Sequence, residues 1–143
     1  MNFMKVALEE AMVARELDEV PVGAVIVKDG QVVARGHNLR ENTKDATMHA
    51  EIVAIRQACE KIGDWRLEDC DIYVTLEPCP MCMGAILNSR VARVYYGAYD
   101  IKWGACGSRY DLREGCYHKV EVTGGVLNEQ CAKILGDYFK EKR

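Results

Sequence analysis

The sequence is poor in proline, phenylalanine and histidine, and it contains no long apolar run. Three prolines, two phenylalanines and three histidines stand among 143 residues. Although 49% of the residues are hydrophobic, no stretch approaches the roughly 18 consecutive apolar residues of a membrane-spanning helix. The first residues show an amphipathic pattern interrupted by acids, which is not the pattern of a signal peptide. These absences predict a protein without a membrane span, formed by one domain over residues 1–143.

The chain also lacks the excess of basic residues that is typical of nucleic-acid-binding domains. Its net charge is −3. The acidic excess lies within residues 1–20, and residues 21–143 carry as many basic as acidic side chains. Charge therefore neither supports nor excludes an RNA partner. The seven cysteines are odd in number and follow no disulfide-framework spacing, which predicts reduced thiols in a cytoplasmic protein.

Hydrophobic periodicity predicts helices that alternate with strands. We expect helices over 2–17, 48–62, from Pro80 onwards, and over 128–142. Strands are expected over 21–27, 31–35, 72–76, 91–97 and 119–122, with a primed two-residue turn at Asp29-Gly30 between the first two. Residues 38–46 and 98–118 are expected to be loops. This order predicts a three-layer α/β/α sandwich with a central sheet of about five strands.

Two further expectations concern helix faces. The acidic residues of the first helix are expected to face water. Thr47 is expected to cap the second helix, whose buried face would consist of Ile52, Ile55, Cys59 and Ile62.

Two short motifs carry the chemistry. His49-Ala50-Glu51 offers an imidazole and a nearby carboxylate, and Pro78-Cys79-Pro80-Met81-Cys82 offers two thiols. Three N/S ligands without a fourth are typical of a catalytic zinc site, whereas a structural zinc normally has four protein ligands. A redox pair is the alternative for an isolated C-x-x-C motif, but redox chemistry does not require an H-x-E motif. His49, Cys79 and Cys82 are therefore the predicted metal ligands, with Glu51 placed to carry protons.

Both cysteines are predicted to lie where a strand runs into a helix. Pro80 suits the first turn of that helix. The positive end of the helix dipole favours thiolate over thiol, which gives a physical reason for a metal site at this junction.

The paired motifs match the signature of zinc-dependent nucleobase deaminases, and the resemblance extends over most of the chain. Its further elements are Glu19-Val20-Pro21-Val22-Gly23-Ala24-Val25, His37-Asn38, Trp65-Arg66-Leu67, Tyr73-Val74-Thr75-Leu76-Glu77, Gly97-Ala98-Tyr99-Asp100 and Gly124-Gly125-Val126-Leu127. With these, the chain resembles the bacterial tRNA-specific adenosine deaminases of the cytidine/deoxycytidylate deaminase superfamily. The resemblance implies a cytidine-deaminase-like fold, a Zn2+ cofactor, a homodimer and hydrolysis of adenosine to inosine at the wobble position of a tRNA anticodon loop.

The resemblance also implies roles for individual residues. Glu51 would be the catalytic proton carrier, and Asn38 would hydrogen-bond the flipped base. Val22 and Leu76 would pack against the faces of the base, and backbone donors near Ala50 and Pro78 would orient water and leaving group. Asp100 would contact the neighbouring sugar or backbone. Simpler readings remain: core packing for Val22 and Leu76, a turn for Asn38, and a loop cap for Asp100.

Departures from the family pattern cluster on the expected substrate side, at Met48, Trp103, Arg109-Tyr110-Asp111 and Tyr117. Bulky side chains there would close the groove into a pocket. The alternative substrate is then a free nucleobase or nucleoside of the guanine, cytosine or adenine type. A zinc-dependent binding protein without activity is disfavoured by the presence of Glu51. If RNA is the substrate, the expected phosphate contacts are Lys102, Arg109, Arg113 and Lys119.

Overall fold

The computed structural model describes residues 2–142. Over this range the elements follow the order α1 (Phe3–Glu16), β1 (Gly23–Lys28), β2 (Gln31–His37), α2 (Arg40–Thr43), α3 (Ala50–Ile62), β3 (Cys70–Leu76), α4 (Pro80–Asn88), β4 (Arg93–Ala98), β5 (Glu121–Thr123) and α5 (Asn128–Glu141). The predicted alternation of helices and strands is confirmed.

In the described part of the chain, five strands form one mixed sheet in the order β2-β1-β3-β4-β5. β1 pairs antiparallel with β2 and β3, whereas β4 pairs parallel with β3 and β5. α1 packs with α5 on one side of the sheet, and α3 packs with α4 on the other. The three-layer sandwich predicted from the sequence is therefore confirmed.

β1 is buried along almost its whole length. Val25 and Val27 belong to the cluster that includes Met4 of α1. Ala24 and Ile26 belong to the cluster on the opposite side of the sheet. Successive side chains of a strand point to opposite faces, so the nearly continuous apolar run of β1 reflects burial on both faces.

The turn between β1 and β2 has the predicted form. Lys28 pairs with Gln31, leaving two residues in the loop. Asp29 and Gly30 have φ values of 51° and 74°, and two positive φ angles define the primed turn that matches strand twist.

The segment before α3 differs from its prediction. The expected loop over 38–46 contains the short helix α2. α3 begins at Ala50, with His49 rather than Thr47 at the N-cap position. The Thr47 hydroxyl instead donates to Asp45 at 2.7 Å, and this local bond removes it from the helix end.

The buried face of α3 was also predicted only in part. Ile55 is buried as expected, but the other buried residues of α3 are Ala50, Ala54, Ala58 and Glu51. Ile52, Cys59 and Ile62 are half-buried. The short alanine side chains allow the helix to lie close to β1 and β2, and a pattern of large apolar residues does not reveal such a contact.

The acidic residues near the N-terminus do not all face water. Glu9 and Glu16 are exposed, whereas Glu10 is half-buried, accepts a hydrogen bond from Arg35 and contacts His37. Glu19, which follows α1, is fully buried.

Among the described residues, no helix has both the length and the apolar character needed to span a membrane.

Candidate active site

The predicted site residues meet at the carboxyl ends of β2, β3 and β4. β1 begins at the same end of the sheet, and α3 and α4 start beside it. Open α/β sheets bind ligands beyond the carboxyl ends of their strands. The topology therefore brings residues from six separate segments to a single location.

His49, Cys79 and Cys82 form a cluster of potential metal ligands. Their donor atoms all lie within 4.8 Å of one another. His49 Nδ1 is 3.7 Å from Cys79 Sγ and 3.4 Å from Cys82 Sγ. Tetrahedral zinc with ordinary Zn–N and Zn–S bond lengths would separate such atoms by roughly 3.5 Å. The donor set and its spacing therefore fit a zinc ion.

The starts of two helices position these ligands. His49 is the N-cap of α3 and Cys79 is the N-cap of α4, with Pro80 at the first helical position as predicted. In the described residues, neither cap side chain bonds its own helix. The imidazole and the thiol are turned towards each other instead, where both helix dipoles favour negative charge.

The two thiols have pKa values displaced in opposite directions. Hydrogen bonding from Cys82, supported by His49, lowers the pKa of Cys79 to about 4 despite its burial. Hydrogen bonding to Cys79 and burial raise the pKa of Cys82. Of the two thiols, Cys79 is therefore the one that more readily forms the thiolate that a metal ligand requires.

Glu51 lies beside this cluster in the first turn of α3. Its side chain is buried, at 4% exposure, and this burial raises its pKa to about 7. A carboxyl group whose pKa is near neutrality can both accept and release a proton under ordinary conditions. The arrangement thus places a group able to carry a proton next to a candidate metal site.

A cavity of about 150 Å³ opens onto these groups. Its wall is formed by Val20, Val22, Asn38, Arg40, His49, Ala50, Glu51, Leu76, Glu77, Cys79, Asp100 and Trp103. Five of the six predicted substrate contacts are therefore in the wall. Pro78 is not part of it. Its carbonyl oxygen accepts a hydrogen bond from the Ala105 N–H at 2.8 Å.

Asn38 lies in the cavity wall and has one unused hydrogen-bonding atom. Its Oδ1 is the only buried side-chain N or O atom without a partner in the described part of the chain. Its backbone N–H donates to the Val22 carbonyl at 3.1 Å, which fixes it beside the start of β1. Buried polar groups are almost always paired, so an unpaired oxygen in a cavity wall indicates a place for a ligand donor.

Sequence reasoning missed three wall residues, Val20, Arg40 and Glu77. Arg40 lies two positions after Asn38, within a segment interpreted as loop. Glu77 immediately precedes Pro78. Its position next to the C-x-x-C motif is the one feature of the sequence that could have indicated a place for Glu77 in the wall. Asp100 lines the cavity and also caps a turn, because its carboxylate accepts the N–H groups of Lys102 and Trp103.

The bulky residues singled out in the sequence have different locations. Trp103 is in the cavity wall, yet 54% of its surface is exposed, and its ring meets Tyr110 edge-on with centroids 5.9 Å apart. Met48 is buried and Tyr117 is fully exposed, and neither belongs to the wall. Arg113 is held by Asp111 through two hydrogen bonds of 2.9 and 2.6 Å. It is thus a weaker candidate for a phosphate contact than Lys102 or Arg109.

Comparison with known proteins is consistent with this site. Residues 1–98 match the family model of the cytidine and deoxycytidylate deaminase zinc-binding region. A tRNA-specific adenosine deaminase of Bacillus subtilis is 48% identical over 143 residues, covering 99% of this chain and 89% of the relative. A solved structure from a study of A-to-I editing by tRNA:A34 deaminases has a TM-score of 0.88 and 50% identity, covering 93% of this chain and 98% of that one. A guanine deaminase of Bacillus subtilis has a TM-score of 0.66 and 44% identity, covering 69% and 66%.

Proposed function

Because the chain belongs to the cytidine and deoxycytidylate deaminase family and is a zinc-dependent hydrolase, we propose that its substrate is adenosine at the wobble position of a tRNA anticodon loop. The reaction consumes water, converts the adenine to hypoxanthine within the nucleotide, and releases ammonia. It leaves inosine in the tRNA.

Each residue of the site has a defined task in this reaction. His49, Cys79 and Cys82 would hold zinc, which would supply a water molecule activated as a nucleophile near neutral pH. Glu51 accepts one proton from the attacking water and gives it to the ring nitrogen. It then accepts a second proton from the hydroxyl group added to the ring carbon and gives it to the departing amine. Asn38 orients the base through its unpaired Oδ1. Val22 and Leu76 flank the base, and Ala50 contributes its backbone at the helix start. Asp100 faces the next nucleotide, and Pro78 keeps the strand-to-helix turn that carries Cys79.

The exposure of the cavity mouth is the observation that supports a polynucleotide substrate. The Arg40 side chain is 48% exposed and Trp103 is 54% exposed, so neither covers the cavity. A cation and an aromatic ring at an open mouth suit the phosphate and base of an adjacent nucleotide. The full-length similarity to tRNA-specific adenosine deaminases supports the same substrate.

Deamination of a free nucleobase or nucleoside is the second candidate. The observation that favours it is the 44% identity to a guanine deaminase, although that similarity covers 69% of this chain. A free base would need the cavity to close around it, and the exposed mouth does not supply that enclosure.

A substrate competition tests the proposal. Purified protein is incubated with an anticodon stem-loop that carries A at the wobble position and, separately, with adenine, guanine, cytosine and their nucleosides. We expect inosine in the stem-loop, because flipping a base from an unpaired loop costs least. Free adenosine should be a poor substrate, since it lacks the neighbouring contacts whose binding energy lowers the barrier. Rapid ammonia release from a free base, with no inosine in the stem-loop, would establish the second candidate instead.

The same proposal includes the setting of the enzyme. We place it in the cytoplasm with its tRNA substrate, acting as a homodimer in line with the family resemblance. We treat residues 1–143 as one catalytic domain. The single sheet supports this, because β5, which lies after residue 98, pairs with β4, which lies within residues 1–98. Sedimentation equilibrium at micromolar concentration should report twice the chain mass of 16.1 kDa.

A further inference from the structure

Glu77 is a buried carboxylate that the proposed chemistry does not use. It lies between Leu76, in the cavity wall, and the Pro78-Cys79 turn, and it is 2% exposed. Carboxylates are almost never fully buried unless they are paired. Among the described residues no cation forms a salt bridge with Glu77, so its partners have to be hydrogen-bond donors.

Those donors all come from the segment between Asp100 and Ser108. One carboxylate oxygen accepts the Asp100 N–H at 3.1 Å and the Ser108 hydroxyl. The other accepts the N–H groups of Cys106 and Ser108, both at 3.1 Å. Hydrogen bonds to an ionised acceptor are stronger than neutral ones, so this segment is wrapped around a single charged group.

Gly104 shows how closely the segment approaches the carboxylate. A Cβ added at Gly104 would lie 2.4 Å from the Glu77 Cδ atom and 2.5 Å from the Asp100 carbonyl oxygen. No side chain fits there. The backbone of this segment therefore passes directly over the carboxylate, and the position requires glycine for that reason.

The segment held by Glu77 is part of the cavity wall. It carries Asp100 and Trp103, which line the cavity together with Asn38 and Arg40. Its own backbone bonds include those from the Gly104 N–H to the Asp100 carbonyl and from the Ala105 N–H to the Pro78 carbonyl, both at 2.8 Å. Without the carboxylate, three further N–H groups and one hydroxyl would lose their acceptor, and this part of the wall would become less rigid.

We propose that Glu77 is a positioning residue that shapes the Asp100–Ser108 segment into the substrate-side wall of the site. It does not touch the reacting atoms. Its effect on turnover passes through Asp100 and Trp103. This inference rests on the proposed function for its kinetic consequence, but the order of the segment is measurable without any substrate.

The test uses Glu77→Gln, which keeps the side-chain shape and replaces one acceptor oxygen by an NH2 group that faces N–H donors. The chain has two tryptophans, so Trp65→Phe leaves Trp103 as the only one. In that background, time-resolved fluorescence anisotropy should reveal faster nanosecond motion of Trp103 in Glu77→Gln than in the parent. Zinc content should remain at about one ion per chain, because the ligands are unchanged.

Kinetics provide the second measurement. For the wobble-adenosine stem-loop we expect KM to rise by about 10- to 100-fold, because displaced positioning groups have effects of this size. The kcat at saturation should fall much less. Glu114→Gln is the matched control, since Glu114 is exposed in the same loop and has no salt bridge within residues 2–142. It should change neither anisotropy nor KM.

Ser108→Ala keeps the proposal testable if Glu77→Gln does not fold. This variant removes the hydroxyl bond alone and should raise KM by about threefold, the effect of one modest hydrogen bond. Unchanged Trp103 motion and KM in both variants would overturn the proposal. So would loss of zinc together with a proportional loss of kcat, which would assign Glu77 to the metal side. If the parent protein does not act on the stem-loop, the proposed function fails, and the anisotropy result still decides whether Glu77 orders the segment.

Discussion

Glu51 and Cys79 lie in the same small cavity but have separable roles. Glu51 is a buried carboxyl group with a pKa raised by burial to about 7, and Cys79 is a proposed metal ligand whose pKa is lowered by hydrogen bonding from Cys82. Replacing Glu51 should therefore leave zinc binding unchanged, whereas replacing Cys79 should reduce it.

Glu51→Gln should retain zinc and the fold but lose activity by about 10²- to 10⁴-fold, because a positioned proton carrier contributes an effect of this size. Turnover on the stem-loop and metal analysis measure the two properties. Glu60→Gln is the control, since Glu60 is exposed on the same helix. Near-normal turnover in Glu51→Gln would mean that another group carries the proton.

Cys79→Ala should show the opposite pattern in the metal analysis. The native protein should contain about one zinc ion per chain, and the variant should be strongly depleted, because two ligands rarely retain zinc. Full zinc occupancy in Cys79→Ala would contradict the ligand assignment.

At the scale of elements, α2 depends on a buried carboxylate. Glu19 accepts the Glu41 N–H at 3.1 Å and the Asn42 N–H at 2.7 Å, together with the Asn42 side-chain amide at 2.8 Å. These bonds hold α2, and with it Arg40, beside the cavity. Burial alone would raise the pKa of Glu19, but the hydrogen bonds from Asn42 and Glu41 lower it below 4.5 overall.

Glu19→Gln should reduce the free energy of unfolding by about 1–3 kcal/mol at pH 7, because a buried donor loses its acceptor. Since the folded-state pKa is lowered, this stabilisation is present above pH 4.5 and is lost as the pH falls through the folded-state pKa. Urea unfolding at a series of pH values measures it, with Glu16→Gln as an exposed control. A difference from the native protein that does not shrink on acidification would contradict the role of ionised Glu19.

At the scale of the whole molecule, a net charge of −3 has to be reconciled with an RNA substrate. We expect the RNA strand to contact three cations, Arg40, Lys102 and Arg109, and all three are exposed. A local basic patch suffices for binding, because the contribution of phosphates depends on nearby charges rather than on the total.

Stem-loop affinity should therefore fall with salt, with a log–log slope of about −0.7 per contacted phosphate on single strands. Arg40→Ala should make the slope less steep by about that amount. Arg93→Ala is the matched control. The Arg93 side chain is 52% exposed, against 48% for Arg40, but Arg93 lies at the start of β4, at the opposite end of that strand from the cavity. Binding that is indifferent to salt would favour a small neutral substrate.

The sequence alone determined the order of elements, the hairpin turn, the three-layer architecture and the grouping of His49, Cys79 and Cys82. These features follow from local signals: periodicity, turn residues and ligand spacing. Tertiary structure decided the rest. It buried Glu19 and Glu77 against segments more than 20 residues away, placed alanines in the face of α3 and brought Arg40 to the cavity. Each of these depends on which neighbour a side chain meets across the fold, and local sequence patterns carry no information about that contact.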